Sequence, residues 1–258
     1  MNAEADGRNV IEFLHTGYCL PNGKRLLEDV RLEVREGEVL ILLGRSGAGK
    51  TTALKLINRL LEPSEGEVRV EGRSTMAWDA IALRRRIGYV IQETGLFPHF
   101  TVEKNIGVVP RLEGWEESRT RARAGDLLEL VGLPAAEFRG RYPHELSGGQ
   151  RQRVGLARAL AADPPILLMD EPFGELDPLT REEVREEFLA LEKRIRKTIV
   201  LVTHDVTEAL LLGTRIAVFE AGRVRGIYSP REFLDSDEPE IVAYRKHVRT
   251  REDFQEGK

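Results

Sequence analysis

Residues 39–51 read VLILLGRSGAGKT: five apolar residues followed by a glycine-rich loop that closes on lysine and threonine. The loop fits the spacing G-x-x-x-x-G-K-[ST], and TTALKLINRLL after it has apolar residues at helical spacing up to Pro63. A strand, a glycine loop and a helix in this order predict a cradle whose backbone N–H groups face a polyphosphate. The lysine is expected to contact the β- and γ-phosphates and the threonine to bind Mg²⁺. The predicted phosphate-binding residues are Gly44, Arg45, Ser46, Gly47, Ala48, Gly49, Lys50, Thr51 and Thr52.

A second apolar strand ends in two acidic residues. ILLMDEP, residues 166–172, places Asp170 and Glu171 at the carboxyl end of a predicted parallel strand, which is the edge where such sheets bind ligands. Asp170 is expected to hold Mg²⁺ together with Thr51. Neighbouring strand residues diverge, so Glu171 is expected to address the attacking water instead. An ordinary helix cap is the alternative role for this acidic pair.

A third motif, LSGGQRQR at 146–153, resembles the start of a helix. Ser147 is a suitable N-cap, and Gly148 and Gly149 leave first-turn amides open to an anion. Taken alone, this motif occurs at many helix starts. Its presence beside a complete phosphate loop raises the question of which phosphate it would serve.

The order of predicted elements indicates an α/β protein. The first 37 residues read as antiparallel strands joined by a turn at 21–23, and later strands alternate with helices, which implies a mainly parallel sheet. Residues 92–165 are helical and richly charged, which indicates an inserted helical lobe. We therefore predict a nucleotide-binding core with a β subdomain (1–91 and 166–228), a helical subdomain (92–165) and a helical tail (229–258) within one domain.

Composition limits the possible partners. The net charge of −4, from 39 basic and 43 acidic side chains, gives no basic field for nucleic acid. The apolar runs are far shorter than a bilayer span and the N-terminus has no apolar signal core, so a cytoplasmic location is expected. Cys19 is the only cysteine, which excludes an internal disulfide.

Taken together, these motifs resemble the nucleotide-binding subunit of ATP-binding cassette (ABC) transporters over nearly the whole chain. GRSGAGKT is similar to the Walker A loop of a P-loop NTPase (RecA-like) core, ILLMDEP to Walker B, and LSGGQ (Leu146, Ser147, Gly148, Gly149, Gln150) to the signature sequence. Gln92 resembles the Q-loop residue, expected at Mg²⁺ and the attacking water, and His204 resembles the switch histidine at the γ-phosphate. Tyr18 resembles the adenine-stacking residue, with simple packing as its alternative.

The resemblance implies ATP and Mg²⁺ as cofactors and a head-to-tail homodimer. The signature of one subunit would then serve the cradle of the other, so that each γ-phosphate lies between Lys50 and the partner copy's signature helix. Asp177 matches the last position of the S-A-L-D segment at the dimer seam of the family. Gly174 and Glu175 depart from that segment, and this departure bears on how tightly the dimer closes.

The motifs after Gln92 suggest a role in transport. Leu96, Phe97, Pro98 and Phe100 lie where family members receive a membrane subunit, although packing within the helical lobe would also explain them. FRGRYPHELSGGQRQRVGLARALAADPP resembles importer ATPases for osmoprotectants such as glycine betaine or choline. That resemblance implies permease subunits, a substrate-binding protein and a position on the cytoplasmic face of the membrane. An ABC ATPase for another small solute and a soluble non-transport ABC ATPase remain alternatives. A small kinase or GTPase would need an acceptor lid or an N-K-x-D motif, which the sequence does not contain, and a non-catalytic binding module would be expected to lack Glu171 or His204.

Overall fold

The computed structural model describes residues 8–92 and 94–245, and these form ten strands and eleven helices. The strands are β1 Asn9–Cys19, β2 Arg25–Arg35, β3 Val39–Leu43, β4 Glu65–Val70, β5 Arg73–Ser74, β6 Ile87–Val90, β7 Ile166–Asp170, β8 Thr198–Thr203, β9 Arg215–Glu220 and β10 Arg223–Tyr228. The helices are α1 Lys50–Ile57, α2 Ala80–Arg85, α3 Val102–Ile106, α4 Val108–Leu112, α5 Glu117–Leu130, α6 Ala135–Phe138, α7 Gly148–Ala159, α8 Pro178–Ile195, α9 Val206–Leu212, α10 Pro230–Asp235 and α11 Pro239–Arg245. A short 3-10 helix covers Pro143–Glu145.

The central sheet has six strands in the order β10-β9-β3-β8-β7-β6, and only β10 pairs antiparallel. Every residue of β3, β7 and β8 is buried, which follows from their uninterrupted apolar sequences. Neighbouring side chains of β3 belong to two different hydrophobic cores, one on each face of the sheet. Ile41 packs in the core on the side of the helical lobe, and Leu40 packs in the core on the side of the antiparallel sheet. The sheet is therefore covered on both faces.

Two further layers complete the fold. An antiparallel sheet, ordered β2-β1-β4-β5, packs on one face, and helices α3 to α7 cover the other side of the core. The predicted fold class, an α/β P-loop core with an antiparallel β subdomain and an inserted helical subdomain, is confirmed. The proposed domain boundaries stay predictions, and residues 246–258 of the predicted tail lie outside the described residues. Across the described ranges, every helix is too short or too polar to cross a bilayer.

The helix after the phosphate loop is shorter than its sequence predicts. Apolar spacing predicts a helix up to Pro63, but α1 ends at Ile57. The next residues form a turn in which Arg59 has a positive φ of 52° and the Asn58 carboxamide oxygen accepts from the Leu60 amide. The prediction was wrong because apolar residues in this turn, such as the partly buried Leu61, pack on the core without being helical.

Candidate active site

Three of the predicted catalytic residues, Lys50, Glu171 and His204, follow strands that end at the carboxyl edge of the central sheet. Strand β3 leads into the phosphate loop, β7 into Glu171 and β8 into His204. These three segments line one cavity of about 1190 Å³, whose walls include Gly44, Arg45, Ser46 and Ala48. Sites at this edge follow from the parallel arrangement, since the ends of neighbouring strands converge there.

The side chain of Lys50 is hydrogen-bonded to two backbone carbonyls of its own phosphate loop. Lys50 is 4% exposed, and its Nζ donates to the carbonyl oxygens of Gly44 (2.7 Å) and Arg45 (3.0 Å). Burial lowers the pKa of Lys50, while the nearby carboxylates of Glu171 and Asp170 oppose that shift. A desolvated ammonium held at the loop's centre can form strong charge-assisted bonds to an entering phosphate.

Glycine is required at the first position of this loop. A Cβ at Gly44 would lie 2.4 Å from the backbone oxygen of Phe219, a separation that real Cβ atoms do not show. Gly49 has φ 101°, a conformation that strongly favours glycine. The loop sequence therefore follows from the close approach of β9 and from the tight turn into α1.

Thr51 and Asp170 form the predicted Mg²⁺ pair. The Thr51 hydroxyl donates to the Asp170 carboxylate at 2.9 Å, although the two residues are far apart in sequence. Burial raises the pKa of Asp170, and the Thr51 hydrogen bond opposes that shift. Hard oxygen donors at a phosphate cradle suit Mg²⁺, which takes one or two protein oxygens together with phosphate oxygens and water. The residues present fit the ion; as this binding mode leads one to expect, the described residues include no cluster of three or more His, Cys, Asp or Glu side chains that would hold a metal alone.

Glu171 and His204 contact each other at the mouth of the cradle. The His204 Nδ1 lies 3.1 Å from the Glu171 Oε2, so the imidazole donates to this carboxylate in the tautomer that carries its proton on Nδ1. Glu171 has a positive φ of 45°, which is strained for a residue with a long side chain. Its amide donates to the backbone oxygen of Val202, so pairing with β8 fixes this conformation.

Three predicted residues lie apart from this cluster. Gln92 is exposed two residues beyond β6, and its side chain forms no hydrogen bond to the rest of the described chain. Tyr18 is partly buried and packs on the core beneath the antiparallel sheet, so its packing alternative has direct structural support. Asp177 caps α8, where its carboxylate accepts from the Thr180 amide at 3.2 Å. Their assigned roles at the nucleotide or the seam stay predictions.

The signature residues also lie outside the cavity that the phosphate loop of their own chain lines. Ser147 caps α7, accepting from the Gln150 amide at 3.2 Å, and its own amide donates to the Gln150 side chain at 2.9 Å. No residue of 146–150 lines the cavity that holds the phosphate loop. The helix start packs instead on α8, since a Cβ at Gly149 would lie 2.7 Å from Thr180 Cγ2.

Sequence analysis missed a buried carboxylate that is linked to the two neighbours of His204. Glu208 is 4% exposed and lies 2.5 Å from the Thr203 hydroxyl, which in turn accepts from the Asp205 amide. Glu208 is thus linked to the residues on both sides of His204. The available signal was a glutamate four residues after His204, at a helical position that faces the core.

Glu208→Gln is expected to change how stability depends on pH. Burial raises the pKa of Glu208 to about 7, with the Thr203 hydroxyl, Arg181 and Arg185 opposing the shift and Asp205 adding to it. Because this pKa exceeds the ordinary value of 4.5, the cost of burying the carboxylate is absent below pH 4.5 and complete above about pH 7. The free energy of unfolding of the variant, measured relative to that of the wild type, should therefore rise by about 3 kcal/mol as pH rises through that window. Urea unfolding at several pH values measures this difference, and parallel stability profiles would contradict it.

A glycine-rich loop between a strand and a helix, together with a strand-end carboxylate pair on a parallel sheet, defines a P-loop nucleotide-binding fold. The family model described as ABC transporter matches residues 27–174. The chain therefore belongs to the ABC transporter family.

Named relatives and solved structures agree with this assignment. The osmoprotectant import ATP-binding protein OsmV of Salmonella typhimurium is 53% identical over 84% of this chain, and the choline transport ATP-binding protein OpuBA of Bacillus subtilis is 50% identical over 85%. This chain covers 57% and 58% of those two proteins, so it spans somewhat more than half their length. The glycine betaine uptake system ATP-binding protein YehX of Escherichia coli is 48% identical over 83% of this chain and 69% of its own length.

Two solved cassettes share the fold. The dimeric post-hydrolysis structure of the ATP-binding cassette MJ0796, bound to ADP and Pi, has a TM-score of 0.76 at 34% identity and covers 86% of this chain and 99% of its own. CbiO1 of Clostridium perfringens, described as part of the ABC transporter complex cbiONQ, has a TM-score of 0.81 at 25% identity and covers 96% of this chain and 98% of its own.

Proposed function

We propose that this chain hydrolyses ATP as the motor subunit of a membrane importer for an osmoprotectant such as glycine betaine. The observation that carries the proposal is the convergence of the phosphate loop and the Glu171–His204 pair on one cavity. Lys50 is hydrogen-bonded to two carbonyls of that loop, and Thr51 is hydrogen-bonded to Asp170, the residue before Glu171. Such an arrangement supplies a phosphate ligand, two oxygen ligands for Mg²⁺ and a carboxylate for the attacking water. Bound Mg²⁺ would neutralise charge that develops on the phosphates.

In the proposed reaction, Glu171 orients or deprotonates the water that attacks the γ-phosphate. The imidazole of His204 holds the Glu171 carboxylate from one side and, being well exposed, is free to face the nucleotide. Lys50 contributes charge at the β- and γ-phosphates. Because these groups are positioned before substrate enters, they stabilise the transition state without a large rearrangement.

We infer that the active unit is a head-to-tail dimer. The exclusion of the signature residues from the cavity of their own phosphate loop supports this inference, as does the position of Gly148 and Gly149 in the first turn of α7, where backbone amides suit an anion. Leu179, two residues after the Asp177 cap, is 76% exposed and so is available for contact with a second copy. The MJ0796 cassette was solved as a dimer with its hydrolysis products.

The names of the relatives support the choice of cargo. OsmV is named for osmoprotectant import, OpuBA for choline transport and YehX for glycine betaine uptake. All three names concern osmoprotectants or quaternary amines, so we propose a cargo of that class. A permease pair, a substrate-binding protein and a position on the cytoplasmic face of the membrane follow from this proposal.

The loop after Gln92 is the proposed contact with the permease. Phe97 is 42% exposed and its ring packs against His99 and Phe100. Asn105, fully buried on α3, holds the loop in place: its Nδ2 donates to the carbonyls of Phe97, Phe100 and Thr101, and its Oδ1 accepts from the Phe97 amide. A buried side chain thus presents an apolar surface in a fixed shape, as a docking site needs.

Asn105→Leu is expected to weaken the coupling between this loop and the permease. The substitution keeps the side chain's size but removes its hydrogen bonds, leaving backbone groups of the loop unpaired at a cost of roughly 1–3 kcal/mol. The ratio of permease-stimulated to basal ATP hydrolysis should fall, measured with the reconstituted transporter. Leu112→Ser, at an exposed position of the same helical lobe, is the control. An unchanged ratio in Asn105→Leu would contradict the docking role.

Reconstitution tests the whole function. The chain would be placed in liposomes with permease and substrate-binding subunits, and ATP-dependent uptake of glycine betaine would be compared with uptake of an amino acid. Betaine uptake that stops in Glu171→Gln supports the proposal. Stimulation of hydrolysis by DNA or ribosomes, with no response to the permease, would favour a soluble ABC ATPase.

A further inference from the structure

Arg45 is the exposed cation of the phosphate loop. It follows the first glycine of the loop and lines the large cavity, and within residues 8–92 and 94–245 its side chain forms no hydrogen bond or ion pair. The other basic residue of the loop, Lys50, is buried and donates to carbonyls of the loop itself. Of these two cations, Arg45 is therefore the one that a second protein molecule can reach.

Four carboxylates line the same cavity, and none of them is in ion-pair contact with Arg45. Three already have partners of their own: Glu171 accepts from His204, Glu220 pairs with Arg225 at 2.7 Å, and Asp205 accepts from the Thr207 amide at 2.7 Å. The fourth, Glu240, is exposed on α11 and forms no ion pair in the described ranges. Glu240 is thus the competing anion for Arg45 within one chain.

Glu175 is an exposed anion beside the signature helix. It lies between β7 and α8, and its side chain has no hydrogen bond or ion pair to any other residue that the structure describes. The next residue, Leu176, packs on the signature, since a Cβ at Gly148 would lie 3.4 Å from Leu176 Cδ2. The Arg181 guanidinium donates to the carbonyls of Gly174 and Leu176 at 3.3 and 3.0 Å. Both neighbours of Glu175 are therefore fixed, and its carboxylate has a defined place next to the signature.

The head-to-tail dimer would bring these two charges to one seam. In that dimer the signature of one copy meets the phosphate loop of the other. Because Leu176 contacts the signature, Glu175 arrives beside the second copy's phosphate loop, whose exposed cation is Arg45. Twofold symmetry repeats the contact at the other site. Each copy carries a net charge of −4, so a glutamate left unpaired at the seam would add to the repulsion between copies.

We propose that Glu175 of one copy forms an ion pair with Arg45 of the other copy in the ATP-bound dimer. The inference rests on the proposed dimer and names two residues by which one copy recognises another. A cassette that lacks either charge would leave the opposite charge unpaired at the seam, so the two pairs favour association of this chain with itself.

Charge reversal tests the pair, with Glu171→Gln present in every chain to slow hydrolysis. Glu175→Arg places two Arg–Arg contacts in the dimer, and Arg45→Glu places two Glu–Glu contacts. Each reversal should weaken dimerisation at saturating ATP by roughly tenfold or more, measured by sedimentation velocity. In a mixed dimer of the two variants, both contacts again join opposite charges. An equal mixture should therefore dimerise about as tightly as the Glu171→Gln parent.

Glu36→Arg is the matched control. It makes the same charge change at an exposed residue before β3, at the opposite end of that strand from the phosphate loop, and should dimerise as the parent does. ATP affinity, measured for each variant at a concentration where it is monomeric, sets the saturating ATP level. The thermal midpoint of each variant checks its folding.

The possible outcomes separate the ion pair from the dimer. Parent-like dimerisation of Glu175→Arg, which pairing of Arg45 with Glu240 would produce, would overturn the proposal. So would a loss of dimers in the two folded variants that mixing does not repair. A parent chain that stays monomeric at saturating ATP would instead contradict the proposed dimer, and the ion pair with it.

Discussion

Glu171→Gln is expected to bind ATP normally and to lose hydrolysis by roughly a hundredfold or more. The glutamine keeps the size and position of the side chain but removes the negative charge that orients the attacking water. The contact with His204 Nδ1, now 3.1 Å long, survives because a carboxamide oxygen also accepts. Nucleotide affinity depends mainly on Lys50 and the phosphate loop, so it should change little.

Steady-state phosphate release and equilibrium ATP binding measure the two halves of this prediction. Glu186→Gln is the matched control, because the same chemical change is made at an exposed residue of α8 that does not line this cavity. The control should hydrolyse ATP as wild type does. Wild-type turnover in Glu171→Gln would show that another group drives the water step.

Lys50→Ala is expected to weaken ATP binding by about 3 kcal/mol or more, which is roughly a hundredfold. The ammonium is held by the Gly44 and Arg45 carbonyls at the centre of the loop, where it is desolvated and would bond to phosphate oxygens. Removing it takes one donor from each of those carbonyls, of which the Arg45 oxygen still accepts from the Ala48 amide, and it takes the positive charge from the cradle. Hydrolysis should fall at least as far as binding.

The affinity for a non-hydrolysable ATP analogue, together with the thermal midpoint, separates binding from folding. Lys55→Ala removes a cation farther along the same helix and should alter affinity much less. If Lys50→Ala bound the analogue as tightly as wild type did, the phosphate loop would not be the nucleotide site.

Much of the fold follows from short-range patterns. VLILL and ILLMD have no polar residue before the strand end, which predicts strands buried on both faces, and β3 and β7 are fully buried. The Thr51–Asp170 hydrogen bond was predictable because the carboxyl ends of parallel strands meet at one edge. The cap at Ser147 follows from the sequence of the helix start alone.

Other features depend on contacts between distant segments and leave little trace in the sequence. The positive φ of Glu171 is fixed by pairing with Val202, and the early end of α1 by a turn around Arg59. The burial of Glu208 depends on how α9 packs against β8. Gln92 and Tyr18 could be assigned only by resemblance, and in the isolated chain neither lines the cavity of the phosphate loop.

A mixing experiment tests the central claim, that the signature of one copy completes the nucleotide site of another. Lys50→Ala disables the phosphate loop, and Ser147→Arg disables the signature by placing a bulky cation at the start of α7. Each variant alone should be nearly inactive. In a mixed head-to-tail dimer, both defects fall in one site, and the other site contains an intact loop and an intact signature. Mixing the two inactive proteins should therefore restore ATP hydrolysis; a mixture in which dimers form but hydrolysis stays at the level of the separate variants would contradict the account.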